Sequence, residues 1–202
     1  MPQKVLAHLK KNDPVLHQAI LACGACSYGG PETKTDLFSS LCRIIIAQQL
    51  SGKAATSLWR KFKNLFPRRK PSAKMIFEMT AKELRASGIS FAKIRALKDL
   101  SEKVLNRTLK LNALKNSHEE IVRTELQKVI GIGPWTSDMF LMFALGNEDI
   151  FSPGDLGLRK GIQKVYGLDT LPSAAYMKGL SFHWSPYKTY AACALWFIVD
   201  NQ

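Results

Sequence analysis

Gly131 and Gly133, separated by one residue and followed directly by Pro134, constrain this chain more than any other feature of its sequence. Glycine has no Cβ, so it tolerates positive φ and lets the backbone come close to another surface. Pro134 suits the first turn of a following helix, where a backbone N–H has no intrahelical partner. The run from Val129 to Thr136 therefore reads as a tight hairpin between two helices, with the free amides of the second helix facing the hairpin. Amides gathered in this way suit an anion, and a nucleic-acid phosphate above all. The same glycines also fit an ordinary helix–helix turn, so the hairpin alone assigns no function.

The rest of the chain reads as helices joined by short connections. Asp13 is placed to N-cap a helix entered through Pro14 and closed near Gly24. Asp36 precedes Leu37, Leu41, Ile44 and Ile45, whose spacing buries one helical face. Ser51 suits the cap of a helix carrying Leu58, Trp59 and Phe62, which ends before Pro67. Thr80 with Glu83, and Ser117 with Glu120, have the spacing of capping boxes. A helix from about Trp135 to Leu145 leads out of the hairpin, and others follow Asp155, Ser173 and Ser185. β-Branched clusters are short and never alternate over a useful length, so no sheet is expected and the fold class is all-α.

Charge narrows the partners. The 29 basic and 16 acidic residues leave a net charge of +13. Between Leu37 and Phe77 there is no Asp or Glu, but there are nine basic residues: Arg43, Lys53, Arg60, Lys61, Lys63, Arg68, Arg69, Lys70 and Lys74. A one-signed stretch of this size suits a polyanion, because neutralising phosphates releases counterions and steers encounter. A membrane surface is the weaker choice, since no long basic amphipathic helix stands out. No apolar run has the length of a spanning helix and no signal-peptide pattern opens the chain, so an intracellular, unsecreted protein is expected. That means cytoplasmic in a bacterium or archaeon and nuclear in a eukaryote. With 46% hydrophobic residues in 202, the chain can bury one compact domain. Of the four cysteines, Cys23 and Cys26 form a C-x-x-C pair without companion ligands at zinc spacing, and read as structural or incidental.

The position of Asp155 changes the weight of the hairpin. It lies 22 residues after Gly133 in Phe151-Ser152-Pro153-Gly154-Asp155-Leu156-Gly157-Leu158-Arg159. Together the two segments resemble the helix-hairpin-helix base-excision DNA glycosylases, and within them the alkyladenine branch typified by AlkA and the yeast-type Mag enzymes. Three further segments resemble that branch, in its order. They are Gln48-Gln49-Leu50-Ser51 with Ala54-Ala55, Gly88-Ile89-Ser90 with Lys93, and Trp184-Ser185-Pro186-Tyr187-Lys188 with Ala191.

The resemblance implies a fold of two helical lobes within a single domain, 31–124 in one and 1–30 plus 125–202 in the other, with an active cleft between them. It implies a monomer that acts on double-stranded DNA containing alkylated bases. Asp155 matches the catalytic carboxylate, and its sequence context also makes it a helix cap, where amides stabilise a negative charge. Trp135 stands where the family's bifunctional lyases carry a nucleophilic lysine, so the resemblance implies simple hydrolysis; Lys160 and Lys164 are unmatched and read as surface charges. Gln49 falls at the position that fills the gap left by a flipped nucleotide, with Gln48 and Leu50 as alternatives one residue to either side. Ser51, Ser90, Lys93, Gly131, Gly133 and Thr136 match DNA-contacting segments. Trp135, Met139, Trp184 and Tyr187 match the base pocket, with Phe182 a further wall candidate. Met139 stands where AlkA has a tyrosine, which narrows the expected substrate range towards 3-methyladenine, with 7-methylguanine as a further candidate. Aromatic faces suit such cationic purines. They leave without protonation, and His183 reads as a surface residue rather than an acid. The carbonyls of Gln127, Val129 and Ile132 match a site for sodium or potassium. No catalytic cofactor is expected, and with only Cys193 in the C-terminal half no iron–sulfur cluster is expected either. Two alternatives remain: a glycosylase for another lesion such as a deaminated purine, and a noncatalytic DNA-binding relative.

Overall fold

The computed structural model describes residues 1–25, 31, 34 and 36–201. Among them the chain forms α-helices and short turns, with no β-strand. In chain order the helices are α1 (Gln3–Asn12), α2 (Pro14–Ala22), α3 (Leu37–Ala47), α4 (Gly52–Lys63), α5 (Ala73–Glu78), α6 (Ala81–Arg85), α7 (Phe91–Leu105), α8 (Glu119–Leu126), α9 (Pro134–Phe143), α10 (Leu156–Val165), α11 (Ala174–Ser181) and α12 (Lys188–Asp200). Cys26, the second half of the C-x-x-C pair, lies outside the described residues.

Two compact units result: Thr33–Leu145, and Met1–Glu32 together with Gly146–Gln202. In the central unit, Asp36 caps α3 by accepting from the Ser39 amide, and Leu41, Ile45 and Ile46 are fully buried. Each such side chain contributes about 1.5–3 kcal/mol through the apolar surface it removes from water. α9 is buried from Thr136 through Met142, because it packs against both α3 and α8. For the same reason residues 125–145 fall in this unit, where the resemblance implied a place with the chain ends.

In the terminal unit α12 is the most buried helix, with Thr189 through Leu195 inaccessible. It packs against α10 at very short range. A Cβ on Gly161 would stand 3.0 Å from the Leu195 Cβ and 3.1 Å from the Leu195 carbonyl oxygen, so only glycine admits this approach. Asp13 caps α2 at the Leu16 amide, and its other oxygen accepts from Trp184 Nε1 (2.7 Å) and the Tyr166 hydroxyl.

Two expected helix starts shift. α8 starts after His118, not after Ser117: the Ser117 hydroxyl donates back to the Ala113 carbonyl, and Glu120 pairs with Arg123. α12 starts at Lys188, not just after Ser185. The Ser185 hydroxyl is taken by Asp149, and the same carboxylate accepts from the Lys188 amide and ammonium. The Thr80–Glu83 capping box forms as expected.

Candidate functional site

In the central unit the segment between α8 and α9 is a hairpin tied down from within. The Val129 amide donates to the Leu126 carbonyl (3.0 Å) and the Ile132 amide to that of Val129 (3.1 Å). The Ile130 amide donates to Asp99 Oδ2 (2.8 Å), whose other oxygen accepts from Lys103. The two glycines differ. Gly131 has φ +79°, and a Cβ there would lie 3.3 Å from the Ala96 Cβ, so this position demands glycine for internal reasons. Gly133 has φ −112°, open to any residue, and a Cβ would meet nothing within 4 Å. Among the described residues neither the Gly131 nor the Gly133 amide donates to a protein acceptor. The carbonyls of Gln127 and Ile132 likewise accept no hydrogen bond there.

The turn after α3 is fastened to this hairpin. Gln48 Nε2 donates to the Gly131 carbonyl (2.9 Å) and to Thr136 Oγ1 (2.8 Å). Lys93 Nζ donates to the carbonyls of Ile46 (2.8 Å) and Gln48 (2.9 Å), at the negative end of α3. Partial burial lowers the Lys93 ammonium from the usual lysine range. Gln48, Lys93 and the buried Thr136, expected at the DNA, thus also bond to one another's segments inside the unit. What they hold up is Gln49, exposed and in the left-handed region at φ +57°, followed by Leu50, 39% exposed. Ser51 precedes α4 with its hydroxyl free of any capping bond, whereas the Ser90 hydroxyl caps α7 at the Lys93 amide. Trp135, in the first turn of α9, is half-buried, and Met139 is 5% exposed.

In the terminal unit Asp155 is the N-cap of α10. Its Oδ1 accepts from the Leu158 amide (2.7 Å) and from Trp196 Nε1 (2.9 Å). The first partner follows from capping geometry. The second comes from α12, and no sequence pattern marked it. Trp184 is fully buried, bonded to Asp13 and edge-on to Phe151 at 5.3 Å, so it is a core residue and not a pocket wall. Tyr187 is half-buried, edge-on to His8 (5.3 Å), with the Lys4 ammonium 5.3 Å from its ring centroid. Phe182 is 64% exposed, and His183 lies on the surface beside it.

The order of these parts, an amide-bearing hairpin and then a capped aspartate, coincides with a known profile. That of the HhH-GPD superfamily of base excision DNA repair proteins matches residues 42–184, which contain both.

The chain belongs to this superfamily.

It is 32% identical over 170 residues to a putative DNA-3-methyladenine glycosylase of Bacillus subtilis, covering 81% of this chain and 59% of that protein. It is 32% identical over 166 residues to DNA-3-methyladenine glycosylase 1 of Schizosaccharomyces pombe, covering 81% and 72%. The chain thus spans little more than half the length of the first of these relatives. Among solved structures, the Schizosaccharomyces pombe 3-methyladenine DNA glycosylase (Mag1) in complex with abasic DNA superposes with a TM-score of 0.88 at 27% identity, covering 96% of this chain and 95% of that one. The all-helical HhH-GPD fold is therefore shared. Among the described residues no helix is long and apolar enough to cross a membrane, and no group of three or more His, Cys, Asp and Glu residues is placed to hold a metal ion.

Proposed function

We propose that this HhH-GPD chain is a monofunctional DNA glycosylase that removes alkylated purines from double-stranded DNA as a monomer. 3-Methyladenine is the primary substrate and 7-methylguanine a further candidate. The observation that carries the reading is Asp155, a carboxylate gripped by two donors on one oxygen at the N-terminus of α10. Breaking the bond between deoxyribose C1′ and the base nitrogen develops positive charge on the sugar, and a fixed carboxylate stabilises that charge. The same group orients the water whose oxygen adds to C1′ and accepts the proton that water gives up, while the bonding pair leaves with the base. A cationic methylated purine departs neutral, so no side-chain acid is required.

Other residues take supporting roles. The Gly131 and Gly133 amides, which donate to nothing within the described chain, receive a backbone phosphate. Among the described residues nothing crowds the Cβ position of Gly133, which leaves open space for an outside group beside its amide. Gln49 fills the gap left by the flipped nucleotide, its exposed left-handed position propped by Gln48 and Lys93, with Leu50 as the alternative. Trp135 and Tyr187 contribute aromatic surface for the base, and with Trp135 in place of an amine the reaction ends at an abasic site. The carbonyls of Gln127, Val129 and Ile132 suit a monovalent cation, which would add positive charge beside the phosphate; the first and third are otherwise unengaged. The names of the relatives, DNA-3-methyladenine glycosylases, agree with this substrate class.

The test is to incubate the purified protein with dimethyl sulfate-treated duplex DNA and identify released bases by chromatography. Release of 3-methyladenine is expected; release of no methylated base refutes the proposal.

A further inference from the structure

We propose that Trp196 is a positioning residue for the Asp155 carboxylate, an inference that rests on the reading of Asp155 as catalytic. The Trp196 indole N–H and the Leu158 amide converge on the same oxygen, at 2.9 and 2.7 Å. A capping bond alone leaves a carboxylate free to swing about its Cβ–Cγ bond. A second donor from a different helix fixes that rotation, because turning the carboxylate breaks both bonds together.

Gly157 supplies an independent observation. It lies in the first turn of α10 without the positive φ that requires glycine, so the backbone conformation alone does not call for it. Its Cβ would stand 2.9 Å from Trp196 Cδ1, 3.0 Å from Trp196 Nε1 and 3.0 Å from Asp155 Oδ1. The missing side chain is thus the space through which the indole reaches the carboxylate. One turn later Gly161 meets Leu195, the residue before Trp196. Two glycines four residues apart on α10 therefore admit two consecutive residues of α12. The seam aims the half-buried Trp196 at the carboxylate, whereas a tryptophan serving only as bulk would need no such clearance.

Trp196→Phe keeps most of the bulk and removes the donor; Gly157→Ala keeps the donor and displaces it. Single-turnover excision from methylated duplex is measured at saturating enzyme, with DNA affinity measured separately by anisotropy and folding by thermal denaturation. Both variants are expected to lose about tenfold in the excision rate constant, equivalent to about 1.4 kcal/mol in the barrier, while DNA affinity stays within twofold. Placed on Asp155→Asn, Trp196→Phe should lower the residual rate no further. A wild-type rate in both variants overturns the proposal, as does an equal loss with and without Asp155, which would show a merely structural role. Should Trp196→Phe fold poorly, Gly157→Ala carries the same comparison. A wild-type rate in Asp155→Asn itself overturns the catalytic reading of Asp155 and this inference with it, and is recognised by that single variant.

Discussion

Gln48 and Gln49 are chemically identical neighbours whose replacement should have opposite consequences. Gln48→Ala removes two hydrogen bonds, one to the Gly131 carbonyl at an exposed turn and one to the Thr136 hydroxyl, which is 2% exposed. Water can replace the first, so its loss is worth about 0.5–1 kcal/mol, whereas a buried hydroxyl left without its donor costs about 1–3 kcal/mol. A total of about 1.5–4 kcal/mol, at roughly 2–4 °C per kcal/mol for a protein of this size, lowers Tm by about 3–16 °C. Gln49 makes no such bond and sits at φ +57°, so Gln49→Gly should leave Tm unchanged or raise it slightly by relieving the left-handed conformation. Excision should respond differently again. Gln49→Ala loses the gap filler, and about 1.4 kcal/mol of lost support slows a flipping-limited reaction tenfold. Circular dichroism melts give the stabilities, single-turnover excision the rates, and a 2-aminopurine beside the lesion reports unstacking. A wild-type Tm in Gln48→Ala would falsify its role as the link between turn and hairpin. Unchanged 2-aminopurine fluorescence and excision in Gln49→Ala would transfer the gap-filling role to Leu50.

Asp155→Asn and Asp155→Ala separate capping from catalysis: asparagine caps as well as aspartate, so only the alanine variant should lose about 1 kcal/mol of stability, while both should lose base release by chromatography. Normal excision by Asp155→Asn would reduce Asp155 to a cap. Gly133→Asp should weaken binding to every DNA sequence by placing a negative charge beside two open amides, and a filter-binding titration showing wild-type affinity would remove the hairpin from the phosphate contact. Borohydride added during turnover should trap no covalent protein–DNA adduct, since Trp135 offers no amine; a trapped band on a denaturing gel would identify another nucleophile. The Tyr166 phenol is pushed above its ordinary value of 10 by burial and then by its hydrogen bond to Asp13. Its stabilising contribution is therefore complete below pH 10 and declines above it, where the unfolded chain ionises first. Tyr166→Phe should flatten the alkaline fall in Tm, and an unchanged profile would count against this network.

Much of the site was legible because it depends on local chain geometry. Helix caps at Asp13, Asp36, Thr80 and Asp155 are read from a side chain and an amide three residues on, and all four form. Ser117 has the same local signature and fails, since the Ala113 carbonyl four residues back captures its hydroxyl, and Ser51 precedes α4 without a side-chain capping bond. The bonds that Gln48, Lys93 and Thr136 make within the fold were not legible, for one reason. A polar residue in a matched segment serves the ligand or the fold, and which it does depends on atoms 40 to 90 residues away.

The sequence by itself determined the all-helical class, the hairpin at Gly131–Pro134 and the capped aspartate, because glycine's missing Cβ, proline's fixed φ and capping geometry act within a few residues. Tertiary structure decided which of these groups remain available. Packing of α9 on α3 and α8 buried Thr136 and Met139. Bonding across the central unit engaged Gln48 Nε2 and Lys93 Nζ, while Gln49 stayed exposed. The Asp13 carboxylate drew Trp184 into the core, and the glycine seam of α10 brought Trp196 to Asp155. Each of these outcomes joins groups distant in sequence, fixed by close packing and by the need of buried polar atoms for partners.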